Sequence, residues 1–96
     1  MAEIVWAVES ELWLHEIYEY IALDNPRYAL KTVNKIREKV LLLKEFPNIG
    51  YKYEHRSQEN IRIILYGHYR IAYLAGDDSI KILGVFHGAL DIERYL

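Results

Sequence analysis

Arg62, Arg70 and His87 are the side chains of this chain best suited to do chemistry. Each falls on, or at the end of, one of three β-branched and aromatic runs. These read Ile-Arg-Ile-Ile-Leu-Tyr from Ile61, Tyr-Arg-Ile-Ala-Tyr-Leu-Ala from Tyr69, and Ile-Lys-Ile-Leu-Gly-Val-Phe-His ending at His87. Arginine offers a fixed positive charge, and an unperturbed imidazole titrates near neutrality, so the set could supply charge and a proton-transfer group. Arg70 and His87 become partners only if the register of the strands puts them on one face. Otherwise His87 simply ends a strand at a solvated sheet edge.

Little else in the chain competes with them. Cysteine is absent, which excludes disulfides and thiolate chemistry. The four histidines, His15, His55, His68 and His87, show no ligand spacing with one another, so no metal site and no cofactor are expected. Lys31, Lys35, Arg37 and Lys39, with Tyr51 and Tyr53, have the composition of a nucleic-acid patch, but a charge run of this kind more often forms a solvated helix face. The net charge of −2 is too low to indicate nucleic-acid binding, and no sequence-specific binding by the chain alone is expected.

The elements that position these groups can be read from periodicity. Glu3 to Trp6 is a short β-branched and aromatic strand. From Val8 to about Leu23 the spacing turns helical, with Leu14, Ile17 and Ile21 on one face and Trp13 and Tyr20 beside it. Ala7 is a weak cap, although Glu9 and Glu11 suit the positive end of the helix dipole. Asn25-Pro26 marks a boundary and a new helix start. The second helix carries Ala29, Val33, Ile36, Val40 and Leu43 as an apolar stripe that stops at Phe46-Pro47-Asn48-Ile49-Gly50. Tyr51 to Asn60 reads as a polar connector. The turn clusters Gly67-His68 and Gly76 to Ser79 then divide the three runs into an antiparallel meander. The expectation is one α+β domain over residues 1–96: a two-layer β-α-α-β-β-β unit with an antiparallel helical hairpin on a small, mainly antiparallel sheet.

Charge is unevenly distributed. Five acids and no Lys or Arg lie between Glu9 and Asp24, whereas six bases and two acids lie between Arg27 and Glu45. Adjacent segments of opposite sign suit helices lying side by side. At 96 residues with 52% hydrophobic content and nine tyrosines, the chain can fold alone and still leave apolar surface for a partner. Trp6, Trp13, Tyr18 and Tyr20 exceed what one helix face can bury against so small a sheet, which points to core plus a protein-facing surface. No run reaches the ~18 apolar residues of a membrane span. The N-terminus lacks the pattern of a signal peptide, so a cytoplasmic location is expected.

Taken in order, Trp6, then Leu14, Ile17, Tyr20 and Ile21, Asn25-Pro26, Phe46-Pro47 with Gly50, Tyr69-Arg70-Ile71 with Tyr73, and Val85-Phe86-His87-Gly88 with Asp91 resemble the ParE/RelE superfamily of toxins from toxin–antitoxin modules. The likeness is closest to the ParE-like branch and covers nearly the whole chain. It implies a type II toxin neutralised by a ParD- or RelB-like antitoxin that wraps it with a helix and an extended segment. Trp13, Ile17, Tyr18 and Tyr20 are the implied antitoxin surface. ParE-like members inhibit DNA gyrase by binding and have no established catalytic site, which implies Arg70, His87, Asp91 and Tyr95 as target-facing residues. The RelE-like branch instead cleaves messenger RNA in the ribosome with clustered Lys and Arg. Its pattern carries over onto Arg70 clearly, onto Arg62 approximately, and leaves His87 as a proton-transfer group. Two of its basic positions fall at Ile64 and Gly88, and Tyr95 matches a terminal tyrosine only with a shift of about one residue. The basic residues that ParE-like members often carry before Asp91 are here Ala89 and Leu90. A third reading is a detoxified member acting mainly as an antitoxin-bound corepressor.

Overall fold

A computed structural model describes residues 2–54, 59–88 and 92–96. Its elements are β1 (Glu3–Trp6), α1 (Val8–Ala22), α2 (Pro26–Leu41) with a 3-10 turn at Leu42–Lys44, β2 (Tyr51–Lys52), β3 (Ile61–Tyr66), β4 (Tyr69–Ala75), β5 (Ser79–His87) and a 3-10 turn at Ile92–Arg94. The five strands form one sheet in the order β1-β5-β4-β3-β2. Strands β2 to β5 run antiparallel to their neighbours, and β1 lies parallel to the first half of β5, with Glu3 opposite Ser79 and Trp6 opposite Ile82. β1 and β5 are neighbours in space and not in sequence: the helical hairpin carries the chain from β1 across one face of the sheet to β2 at the opposite edge, and the meander returns it to β5.

The polar-connector expectation for Tyr51 to Asn60 needs correction. Tyr51 and Lys52 pair with Ile63 and Arg62, and Tyr53 is buried. A two-residue strand carries too little alternation to register as a periodic signal. Burial of Tyr53 also removes it from any surface shared with the lysines of α2.

Local chemistry accounts for the helices. The Asn25 side chain accepts a 3.1 Å hydrogen bond from the Tyr28 N–H, and Pro26 occupies the first turn of α2. Ala7 caps α1 with no side-chain bond, while the Ser10 hydroxyl donates to the Ala7 carbonyl at 2.6 Å. Arg37 joins the helices through two 3.0 Å hydrogen bonds to the Glu11 carboxylate, and its guanidinium lies 4.9 Å from the ring centre of Trp6. Leu14, Ile36, Val40 and Leu43 from the helices pack on Ile64, Ile71, Tyr73, Ile80, Ile82 and Val85. Each large apolar side chain buried there contributes roughly 1.5–3 kcal/mol.

The far face of the sheet is covered too. Tyr53, Ile61, Ile63, Ala72, Phe86 and Ile92 form a second cluster, with Trp13, Leu74, Leu83 and Leu96 packed against it. Trp13 reaches it because β1 pairs with β5 only as far as Ile82, so α1 passes the remaining edge of β5. Its indole meets Phe86 edge-on at 4.9 Å and Tyr95 at 5.0 Å.

One irregularity sets the side-chain directions at the end of the sheet. Ala72 pairs with Gly84 and Tyr73 with Ile82, leaving Leu83 as an extra residue in β5. A bulge of one residue reverses the alternation beyond it. Ile80 and Ile82 therefore face the helices, and so do the odd-numbered Val85 and His87. The Phe86 ring lies over Gly84, where a Cβ would overlap it.

Candidate functional site

An apolar groove lies between α1 and the ends of β4 and β5. Trp13, Ile17, Tyr20 and Ile21 form one wall and Tyr69, Val85 and His87 the other, enclosing about 460 Å³. The helical spacing of the first wall follows from the periodicity of α1, and the second wall is the pair Tyr69 and His87, opposite each other in the register. Tyr20 is 77% exposed and forms the outer lip. Tyr28 of α2 is exposed nearby. Burial holds the Tyr69 phenol above its usual ionisation range, with Tyr28 and Tyr20 adding to the shift. Its ring meets His87 edge-on at 6.0 Å. Such a surface suits a partner side chain with an apolar body and a polar tip.

The expected antitoxin residues divide within this geometry. Ile17 and Tyr20 line the groove. Trp13 contributes one edge and is otherwise engaged with Phe86 and Tyr95. Tyr18 is half-buried and lies outside the groove lining. Trp6 packs under Arg37.

The expected chemical residues divide more sharply. Tyr69 faces His87, and Arg70 faces Phe86. Arg70 therefore projects onto the second face of the sheet and His87 onto the helix face. Their backbones adjoin, and both border a hollow at the sheet's end with Leu65, His68, Tyr69 and Gly88. An Arg70 guanidinium nitrogen is 3.5 Å from the Gly88 carbonyl, and the rings of His68 and His87 stack with centres 6.4 Å apart. Tyr95 stacks on Phe86 at 6.0 Å. Asp91 lies outside the described residues, as does His55.

Arg62 is elsewhere. It pairs with Tyr73, four residues along β4 from Tyr69, or roughly 13 Å at the usual strand rise. Its guanidinium donates to the carbonyls of Gly50 at 2.8 Å and Asn48 at 3.2 Å, and its Nε donates to the Asn60 side chain at 3.2 Å. The register thus brings His68 beside His87 and leaves Arg62 apart. His68 could have been found from its place in the two-residue turn that Gly67 opens with φ 56°.

No group of three or more His, Cys, Asp or Glu able to hold a metal ion occurs among the described residues. Likewise, no helix of the described residues is long and apolar enough to cross a membrane.

Residues 4–92 match the family described as "ParE toxin of type II toxin-antitoxin system, parDE". The chain belongs to the ParE toxin family. A solved structure, "Chromosomal ParDE TA system from P. aeruginosa", has the same fold, with a TM-score of 0.72 and 25% sequence identity over 91% of this chain and 96% of that one. No curated protein sequence matches. The chain is thus a ParE-family toxin by sequence and by architecture, two helices on a five-stranded mixed sheet.

Proposed function

We propose that this ParE-family toxin acts in the cytoplasm by binding its target rather than by turnover, with DNA gyrase as the target. A ParD/RelB-like antitoxin would neutralise it by laying an amphipathic helix in the groove of Ile17, Tyr20, Tyr69 and His87. The observation that carries the binding mode is the dispersal of the cations. Breaking a phosphodiester by attack of a 2′-hydroxyl needs a base, an acid for the leaving oxygen, and positive charge around the developing phosphorane. Arg62 is engaged with loop carbonyls at the far end of the helix face, and Arg70 and His87 occupy opposite faces. Docking needs no such convergence. An apolar groove with a few polar tips is sufficient.

A RelE-like endoribonuclease is the second reading, and the hollow bordered by Arg70, His68 and His87 favours it. Two reactions separate them. The purified toxin is expected to block supercoiling by purified gyrase while a translating extract keeps its messages intact. Cleavage of messages in ribosomes, abolished by Arg70→Ala, would replace the first reading with the second. If expression of the chain leaves growth unchanged, the corepressor role takes precedence over both.

A further inference from the structure

The β1 edge of the sheet carries a surface that the groove on α1 does not use. β1 ends the strand order, and among the described residues no strand lies beyond it. The Glu3 N–H donates to the Asp78 carbonyl at 3.1 Å, and the Ala7 N–H to the Ile82 carbonyl at 3.0 Å. Odd-numbered residues of β1 therefore bond to β5, and the N–H and C=O of Ile4 and Trp6 are aimed outward. Exposed edges are normally blunted by charge, proline or a bulge. Past Glu3, the strand residues Ile4, Val5 and Trp6 carry none of those devices.

A groove of about 470 Å³ runs beside this edge, lined by Ile4, Trp6, Val40 and Leu41 together with Glu38 and Lys44. None of these residues lines the groove on α1. Val5 is 41% exposed and Leu41 54%. Arg37, fixed by Glu11, lies over Trp6, and the 3-10 turn ending at Lys44 also touches β1. α2 thus runs back along the strand, with Glu38 toward the Trp6 end and Lys44 toward the Glu3 end.

Strand and helix here are each self-complementary about a centre. On β1, Ile4 and Trp6 flank Val5 with their outward polar groups. On α2 and its 3-10 turn, Glu38 and Lys44 stand three residues either side of Leu41 with opposite charge. A partner of unrelated sequence requires neither symmetry, whereas a second copy of this chain requires both. We infer that two copies pair antiparallel through β1, about a twofold axis passing Val5 and Leu41. Ile4 then lies opposite Trp6 of the second copy and exchanges both main-chain hydrogen bonds with it. Leu41 meets Leu41, and Glu38 faces Lys44, once on each side of the axis. A twofold contact uses the same surface on both copies, so it closes this edge and stops at two chains. The patch is small, which suits a pair in exchange with single chains rather than an obligate dimer. The inference does not rest on the proposed target or antitoxin.

Sedimentation equilibrium of the purified full chain over a concentration series tests this. The mass is expected to move from one chain to two and no higher. Amide exchange at Ile4 and Trp6 should slow at least tenfold at the high end of the series, while Val5, already bonded to β5, stays unchanged. Leu41→Glu, at an exposed position, should weaken pairing at least tenfold and leave the urea midpoint where it was. Glu38→Lys and Lys44→Glu should each weaken pairing about threefold by setting like charges together. The double variant restores opposite charges across the axis and should recover the pairing. That recovery separates a contact between copies from a contribution to the fold of one. A chain that stays single throughout overturns the inference, and so do assemblies larger than two. A pair that survives Leu41→Glu, or a double variant as weak as the singles, overturns it as well.

Discussion

Arg70 and His87 occupy adjacent register pairs on neighbouring strands yet project from opposite faces of the sheet. The bulge at Leu83 causes this. With uninterrupted pairing from Tyr73 and Ile82, His87 would fall opposite His68 and share the face of Arg70. The two residues would then have formed the charge and proton-transfer pair that their types suggest. In the folded chain His87 belongs to the groove of α1, and Arg70 lies beside Phe86.

Replacement of these two residues should therefore affect different contacts. His87→Ala is expected to weaken antitoxin binding, and Arg70→Ala to weaken action on the target with little effect on the antitoxin. Titration of each variant against antitoxin, and separately against gyrase supercoiling, separates the two. Equal loss in both assays for both variants would mean a single shared site.

Tyr20 offers a cleaner probe of the groove than Trp13. Tyr20→Ala removes a side chain that is mostly in water, so folding stability should change by about 0.5 kcal/mol or less. Its loss should still weaken antitoxin binding by ~1–2 kcal/mol, about five- to thirtyfold. Trp13→Ala, by contrast, removes packing on Phe86 and Tyr95 and should destabilise the fold at the lower end of the ~3–5 kcal/mol range for buried aromatics. Urea unfolding beside calorimetric binding distinguishes the two kinds of loss.

The Tyr73 hydroxyl is expected to matter more to stability than its single oxygen suggests. Tyr73→Phe leaves the Gly50 N–H and the Pro47 carbonyl without their partner, at about 1–3 kcal/mol. Gly50→Ala should cost about 1–3 kcal/mol by overpacking against Ile63 and Tyr73. Because both changes act on one contact, the double variant should lose less than the sum of the singles in denaturant unfolding. Full additivity would argue against the shared contact.

Alkaline pH should weaken the fold through the phenols. Burial raises both Tyr69 and Tyr73 above the ordinary value of 10.0. A raised value in the folded state means that the native chain keeps protons the unfolded chain has lost. That stability is fully present below pH 10.0, and it declines as pH rises through the higher native values. Tyr69→Phe should flatten the fall in the urea midpoint above pH 10.0 without changing its course near neutrality. An unchanged slope would dismiss Tyr69 as its source.

The Arg37–Glu11 contact should contribute modestly. Both side chains are more than two-fifths exposed, so screening limits the bidentate pair to ~1 kcal/mol or less, with some further loss from the Trp6 stacking. Arg37→Lys keeps the charge and loses the fork, so it should recover only part of the loss from Arg37→Ala in thermal unfolding.

Periodicity, capping and turn chemistry were legible along the chain. The 3.6-residue stripe from Ala29 to Leu43, the Asn25-Pro26 start of α2 and the three β-branched runs each act between residues close in sequence. Those local patterns determined the helical hairpin, the meander and, through the order of motifs, the toxin family. Strand β2 was not legible, because two residues become a strand only when Arg62 and Ile63 are beside them. The fates of Arg62, Arg70 and His87 were not legible either. Which face a strand residue takes depends on register, and one extra residue at Leu83 reverses every side chain after it. That bulge is a property of how β5 pairs with β4 and packs against α1, so only the assembled tertiary structure could decide that the cations stay apart and that His87 joins an aromatic groove.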